Sequence, residues 1–209
     1  MQGPSDCLGE HEIKGKDVLS KLKIYSFPDD VLSEVAEPIR RVDANYWKLA
    51  DDMLETMYDA PGIGLAANQV GILERVIVID TDFEIQDDGL IIRKSPRIFF
   101  NPELVLQEGE TAMQEGCLSV PEYTAEVPRA EKIKLQYQDA DGLTKTLSAE
   151  GLLAVCIQHE MDHLNGQLFI DRLSPLKREM AQKKLIKDRK RREREGTSRL
   201  KPGSGSDFF

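Results

Sequence analysis

Hydrophobic positions recur along this chain with two different periods, which divide it into helical and extended stretches. In residues 42–60, Tyr46, Leu49, Ala50, Met53, Leu54 and Met57 are spaced as on one face of an α-helix, and Asp43 offers a capping side chain at its start. The same period returns at Leu152, Val155, Cys156, His159 and His163, with Ser148 before them and Gly166 after them as candidate start and stop. Residues 75–80, with the continuous apolar run Val76-Ile77-Val78-Ile79 between Arg75 and Asp80, have the pattern of a buried strand. Residues 98–107 read as a second strand, and residues 132–138 as a third, through the alternation of Ile133, Leu135 and Tyr137. Asp141-Gly142 marks a hairpin turn into a strand over 143–147. Residues 81–95 are acidic and polar and predict an exposed loop or hairpin tip. No internal repeat is present. The order of elements predicts an α+β fold: antiparallel or mixed β-sheets packed around a central helix, with an amphipathic helix towards the N-terminus and another helix at the C-terminus.

Composition adds bounds. The 209 residues suit one domain with a sizeable core plus tails. The divisions expected are a polar extension over 1–21, a body over 22–175, a basic helix over 176–196 and a flexible tail over 197–209 with a Gly-Ser-Gly-Ser stretch. Hydrophobic residues make up 40% and charged ones 31% of the chain, and no run approaches the roughly eighteen apolar residues of a membrane span. The first residues lack the apolar core of a signal peptide. Three cysteines, Cys7, Cys117 and Cys156, are an odd number, which fits a reducing compartment better than a disulfide framework.

Charge is unevenly placed. The net charge is −9, yet residues 176–195 carry ten Lys/Arg against four Asp/Glu. A basic helix on an acidic body fits a local contact with a polyanion, since phosphate would be repelled by the rest of the surface. A plainly solvated helix fits the same composition equally well.

The candidate chemistry centres on Gln158-His159-Glu160-Met161-Asp162-His163. Two histidines four apart on a helix present two imidazole nitrogens on one side, with Glu160 beside them as a candidate base. Two hydrogen-bonded core histidines would look the same. The only other histidine, His11, lies in the polar N-terminal segment. A catalytic zinc-like site usually takes three protein ligands, and no histidine follows His163. Upstream, Cys117 sits in a loop-like stretch between glycine and a short apolar run, as a candidate third ligand or as an ordinary small buried hydrophobe. A glycine-rich stretch, residues 61–71, follows the first helix; it lacks the preceding strand and third glycine of a dinucleotide fingerprint, which excludes nucleotide binding.

Three motifs in order, Gly-Ile-Gly-Leu-Ala-Ala-Asn-Gln at 62–69, Glu-Gly-Cys-Leu-Ser at 115–119 and Gln-His-Glu-Met-Asp-His at 158–163, resemble those of the peptide deformylases. The resemblance extends over residues 22–176. It implies a bacterial or organellar metallohydrolase that removes the formyl group from the N-terminal formyl-methionine of nascent polypeptides and releases formate. Cys117, His159 and His163 would be metal ligands, with water as the fourth and as the nucleophile. Glu160 would be general base and then acid, while Gln69 and the backbone N–H of Leu118 would hold the formyl oxygen. One divalent cation is implied, Fe2+ in the cell, with Zn2+, Ni2+ or Co2+ also accepted. A pocket for the methionine side chain would involve Ile63, Met113, Leu152, Val155 and Cys156, and Gly64 and Gly116 would let the substrate backbone approach.

The implied setting is the bacterial cytoplasm. The partners expected are N-formyl-methionyl nascent peptides and, through the basic helix, ribosomal RNA; no membrane or DNA contact is expected. Two other readings stay open on the residues alone. A conventional His-Glu-x-x-His metalloprotease leaves Gln69 and Cys117 unexplained, and a structural metal protein has no use for Glu160 and Gln69. Tyr123, Thr124 and Arg129 are candidates for the rim.

Overall fold

The computed structural model describes residues 20–85, 91–93 and 95–195. Most of the expected N-terminal extension, with Cys7 and His11, and the expected tail over 197–209 lie outside the described residues. Among the described residues, three α-helices, α1 (Ala44–Asp59), α2 (Gly151–Leu164) and α3 (Pro175–Arg194), accompany nine strands. These are β1 (Gly64–Ala66), β2 (Val76–Ile79), β3 (Phe83–Ile85), β4 (Ile91–Arg93), β5 (Arg97–Glu108), β6 (Thr111–Cys117), β7 (Val120–Arg129), β8 (Lys132–Gln138) and β9 (Thr144–Glu150). The fold is α+β. Five strands form a sheet in the order β1-β2-β5-β8-β9, and the hairpins β3–β4 and β6–β7 stand apart from it. Every ladder between named strands is antiparallel.

The apolar run of β2 is buried on both sides because a helix covers each face. Successive side chains of a strand point to opposite faces. Ile77 and Ile79 join the core that contains Cys156, Ile157, Met161 and Leu164 of α2, while Val76 and Val78 join the core of Ala50, Met53 and Met57 from α1. Phe99 and Phe100 of β5 divide between the same two cores, each contributing about 1.5–3 kcal/mol of burial. At the start of α1 the Asp43 carboxylate accepts from the Asn45 N–H at 2.9 Å, as the capping pattern predicts.

The central helix departs from the one-stripe expectation. Every residue from Ala154 to Leu164 is buried, so α2 is enclosed on all sides rather than amphipathic. Its start also differs. Ser148 pairs with Lys134 within β9, the ladder runs on to Glu150, and the chain turns into the helix at Gly151, whose φ is +61°. Gly166 ends the helix as expected: its φ is +69°, and a Cβ there would lie 2.5 Å from the Ser33 carbonyl oxygen.

The stretch around Cys117 is not a loop. It is the end of β6, and Cys117 pairs with Val120 across the two-residue turn Leu118–Ser119. The hairpin escapes a hydrophobic pattern because the inward side of β6 carries Glu115 rather than an aliphatic residue. Val120 and Val127 pack with Phe169 and Ile170 of a 3-10 turn and with Ala181 and Leu185 of α3 in a third core. The segment over 81–95 contains the short hairpin β3–β4, consistent with the hairpin reading. Among the described residues, no helix is long and apolar enough to cross a membrane.

Candidate metal centre

Two buried elements meet at the end of β6. Helix α2 supplies His159 and His163, four residues apart and therefore on one side of it; their ring centroids are 5.2 Å apart. The β6–β7 turn brings Cys117 against them, with Sγ 3.1 Å from His163 Nε2. One donor atom from each of the three residues lies within 4.8 Å of the others, and all three residues are buried. A thiol and two imidazoles with converging lone pairs suit a soft or borderline divalent cation.

The charges around the donors set their protonation. Burial disfavours a charged His159 ring, but hydrogen bonding to Cys117 and Glu115 outweighs it and raises His159 to about 10. Burial and the neighbouring His159 charge hold His163 well below the usual imidazole range. A cation would compete with protons for these lone pairs and release them on binding.

His159 is oriented from behind. Its Nδ1 lies 2.8 Å from Glu115 Oε2, which directs Nε2 towards Cys117. Arg129 grips the same carboxylate with two bonds of 2.6 and 2.7 Å and donates at 2.6 Å to Asp162. Asp162 also accepts two bonds from Arg172, at 2.5 and 2.6 Å. Burial opposes ionisation of Glu115, yet hydrogen bonds from Arg129 and His159 keep its carboxyl below the ordinary range.

In front of the donors lies a small cavity of about 20 Å³, lined by Gly62, Ile63, Gly64, Gln69, Gly116, Cys117, Leu118, His159 and Glu160. Burial raises the Glu160 carboxyl to about 7, against the pull of the His159 charge, and its Oε2 is buried with no hydrogen-bond partner among the described residues. Gly64 explains how the carboxylate fits: a Cβ there would lie 2.3 Å from Glu160 Oε1 and 2.8 Å from Cys156 Sγ. Across the cavity, the Ala66 N–H donates to Gln69 Oε1 at 2.8 Å. That bond fixes the amide so that Nε2 faces Ser119 Oγ at 3.1 Å and Cys117 Sγ at 3.5 Å.

The polypeptide deformylase family model matches residues 21–179, which include every residue of this cavity. The chain belongs to the peptide deformylase family. It is thus an enzyme that removes the formyl group from N-formyl nascent peptides. It is 52% identical over 169 residues to the peptide deformylase of Hamiltonella defensa subsp. Acyrthosiphon pisum (strain 5AT), covering 81% of this chain and 94% of that one. The crystal structure of a peptide deformylase from Legionella pneumophila aligns with a TM-score of 0.73 and 44% identity, over 84% of this chain and 99% of that one. A Met-Ala-Ser-bound class I type b peptide deformylase from Acinetobacter baumannii aligns at 0.68 with 32% identity, over 74% and 99% of the two chains.

Of the residues that the deformylase resemblance singles out, Cys117, His159, Glu160, Gln69, Leu118, Ile63, Gly64 and Gly116 line this one cavity, and His163 clusters with Cys117 and His159. Met113, Leu152, Val155 and Cys156 are not among its lining residues. Val155 and Cys156 are fully buried, and Cys156 lies beneath Gly64 with its thiol 3.8 Å from the Ile63 carbonyl. Met113 and Leu152 are half-buried. Arg129 does not reach the rim; it is 4% exposed and sits behind the donors. Thr124 accepts from Gln114 on the exposed side of the hairpin, and Tyr123 stacks on Phe169. Pattern reasoning overlooked Glu115, Asp162, Arg172 and Ser119. Glu115 and Ser119 lie inside the 115–119 motif and Asp162 inside the 158–163 motif, while Arg172 carries no such signal.

Proposed function

We propose that this deformylase holds one divalent cation on Cys117, His159 and His163 and hydrolyses the N-formyl amide with Glu160 as its proton carrier. The observation that supports this most is the convergence of three buried donor atoms within 4.8 Å beside a buried, unpartnered carboxylate oxygen. A divalent cation held there supplies Lewis acidity, which makes water more acidic and the formyl carbonyl more electrophilic. The resemblance implies Fe2+ in the cell, and the thiolate and imidazole donors are compatible with Zn2+, Ni2+ or Co2+.

Glu160 removes a proton from the attacking water and returns it to the departing amine, which would otherwise leave as an unstable anion. Gln69 Nε2 and the Leu118 N–H donate to the formyl oxygen as negative charge develops there; one such donor is worth about 3–4 kcal/mol in other oxyanion holes. Because Gln69 is neutral, it stabilises that charge without repelling a neighbouring cation. Ile63, Gly64 and Gly116 border the cavity, and Gly64 and Gly116 leave room for substrate backbone. The methionine side chain is assigned to the neighbouring surface of Met113, Leu152, Val155 and Cys156. The Met-Ala-Ser bound to the Acinetobacter enzyme has the sequence expected of a deformylated product.

Residues 22–175 are assigned as the catalytic body, and the basic helix over 176–196 as a docking element for ribosomal RNA, where nascent chains emerge in a bacterial cytoplasm. The direct test is formate release from formyl-Met-Ala-Ser by anaerobically metal-loaded protein. Formate and Met-Ala-Ser as sole products, lost on chelation, support the reading. Internal cleavage of an unformylated peptide would replace it with a metalloprotease.

A further inference from the structure

Ser119 touches two residues of the proposed site and the backbone segment that spaces them, although neither the resemblance nor the proton chemistry above assigns it a task. It is fully buried and occupies the second position of the turn between β6 and β7. Its hydroxyl oxygen accepts from Gln69 Nε2 at 3.1 Å, and its N–H donates to Cys117 Sγ at 3.4 Å. Its carbonyl accepts from the Phe27 N–H at 2.9 Å, and two residues earlier the Tyr25 N–H donates to the Gln69 carbonyl at 2.8 Å. One short backbone segment thus spaces the turn that carries Gln69 from the turn that carries Cys117 and Leu118.

The Gln69 amide has two N–H bonds to place. Ala66 holds its oxygen, Ser119 takes one hydrogen, and the other points towards Cys117 Sγ at the longer distance of 3.5 Å. A thiol sulfur is a weaker acceptor than a hydroxyl oxygen, so the contact to Cys117 is the one a substrate oxygen can replace. Without the Ser119 hydroxyl, the amide would keep one anchor in place of two and could rotate about its last torsion.

On the reading of Gln69 as a formyl-oxygen donor, we infer that Ser119 is a positioning residue that fixes the Gln69 carboxamide so that one N–H stays aimed at the developing oxyanion. A preorganised donor costs no reorientation during the reaction, so loss of the anchor should lower kcat far more than it raises KM.

The test is a double-mutant cycle on formate release by the full-length, metal-loaded chain, with metal content and thermal midpoint recorded for each variant. Gln69→Ala is expected to lower kcat by about 10²–10³-fold. Ser119→Ala should lower it by roughly 10-fold or more, with KM within about 3-fold and metal retained. In the Gln69→Ala background, the Ser119 change should alter kcat by less than about 2-fold, because the group it acts through is gone. Ser119→Thr, which keeps the hydroxyl, should retain most of the activity.

Independent, multiplicative losses from Ser119→Ala and Gln69→Ala would overturn the inference, as would equal losses from Ser119→Ala and Ser119→Thr. A wild-type chain that releases no formate would instead overturn the proposed function. A Gln69→Ala variant with unchanged kcat would overturn the role given to Gln69, and the inference with it.

Discussion

Gly64 is constrained by the carboxylate beside it. An added methyl group would collide with Glu160 Oε1 and Cys156 Sγ, and only the carboxylate has room to turn away. Gly64→Ala is therefore expected to fold with a loss of about 1–3 kcal/mol and, if Glu160 is the base, to lower kcat at least 10²-fold by displacing its carboxylate. Near-normal kcat would show that Glu160 works from another position. Behind the donors, Arg129 and Arg172 look alike in sequence but differ in surroundings. Arg129 is sealed between Glu115 and Asp162, whereas the Arg172 side chain is 41% exposed. Removing Arg129 leaves the buried Glu115 carboxylate without its guanidinium partner, which costs about 3–5 kcal/mol, while Arg172→Ala should cost about 1 kcal/mol or less. Urea denaturation of the two variants gives the comparison, and equal losses would contradict it. Cys156 is fully buried, and burial, reinforced by the Glu160 charge, raises its thiol well above the usual range. Peptide mapping should find it unlabelled by iodoacetamide in the native chain at neutral pH and labelled after unfolding.

Helix α2 and the β6–β7 hairpin reach the site from separate packing units, one enclosed by the five-stranded sheet and the other backed by α3. A cation held by His159, His163 and Cys117 would tie the two together. Chelation should accordingly lower the unfolding midpoint as well as stop turnover, and adding metal back should restore both; at free metal about 1,000-fold above Kd the stabilisation would be about 4 kcal/mol. A midpoint indifferent to chelator would contradict metal binding at these residues. The sequence disclosed the two elements unequally. The period of α1, the alternation of β8 and the apolar run of β2 follow directly from burial on a helix face or between two layers, so they were legible. The β6–β7 hairpin was not, because its inward side carries Glu115 and its ion-pair partner Arg129, and a charged pair breaks the alternation by which a strand is recognised. The candidate donors were legible because helix spacing and a three-part motif carry them. The residues that hold them in place, Glu115, Arg129, Asp162 and Ser119, depend on contacts between distant segments and leave no periodic trace.

Over the whole molecule, charge is segregated. On α3, Ala181 and Leu185 face the body, while Lys183, Lys187, Lys190 and Arg194 lie near the opposite side with Leu176 and Met180, which are 69% and 64% exposed. Arg189 turns inward to Asp29. If the outward stripe meets ribosomal RNA, Lys187→Glu, Lys190→Glu and Arg194→Glu together should weaken ribosome binding. They should also flatten the log–log salt dependence by about two to three units, at roughly 0.7–0.9 per phosphate contact. Turnover of a free formylated tripeptide should be unchanged, and unaltered ribosome affinity would leave the helix a solvated surface. The central claim is that a cation held by Cys117, His159 and His163 works with Glu160 on the formyl amide. Its most direct test is formate release by Glu160→Gln alongside wild type, with metal stoichiometry measured on the same samples. The account predicts one metal ion per chain in both and a fall in kcat of about 10²–10⁴-fold in the variant. Wild-type turnover in Glu160→Gln with metal bound would contradict it.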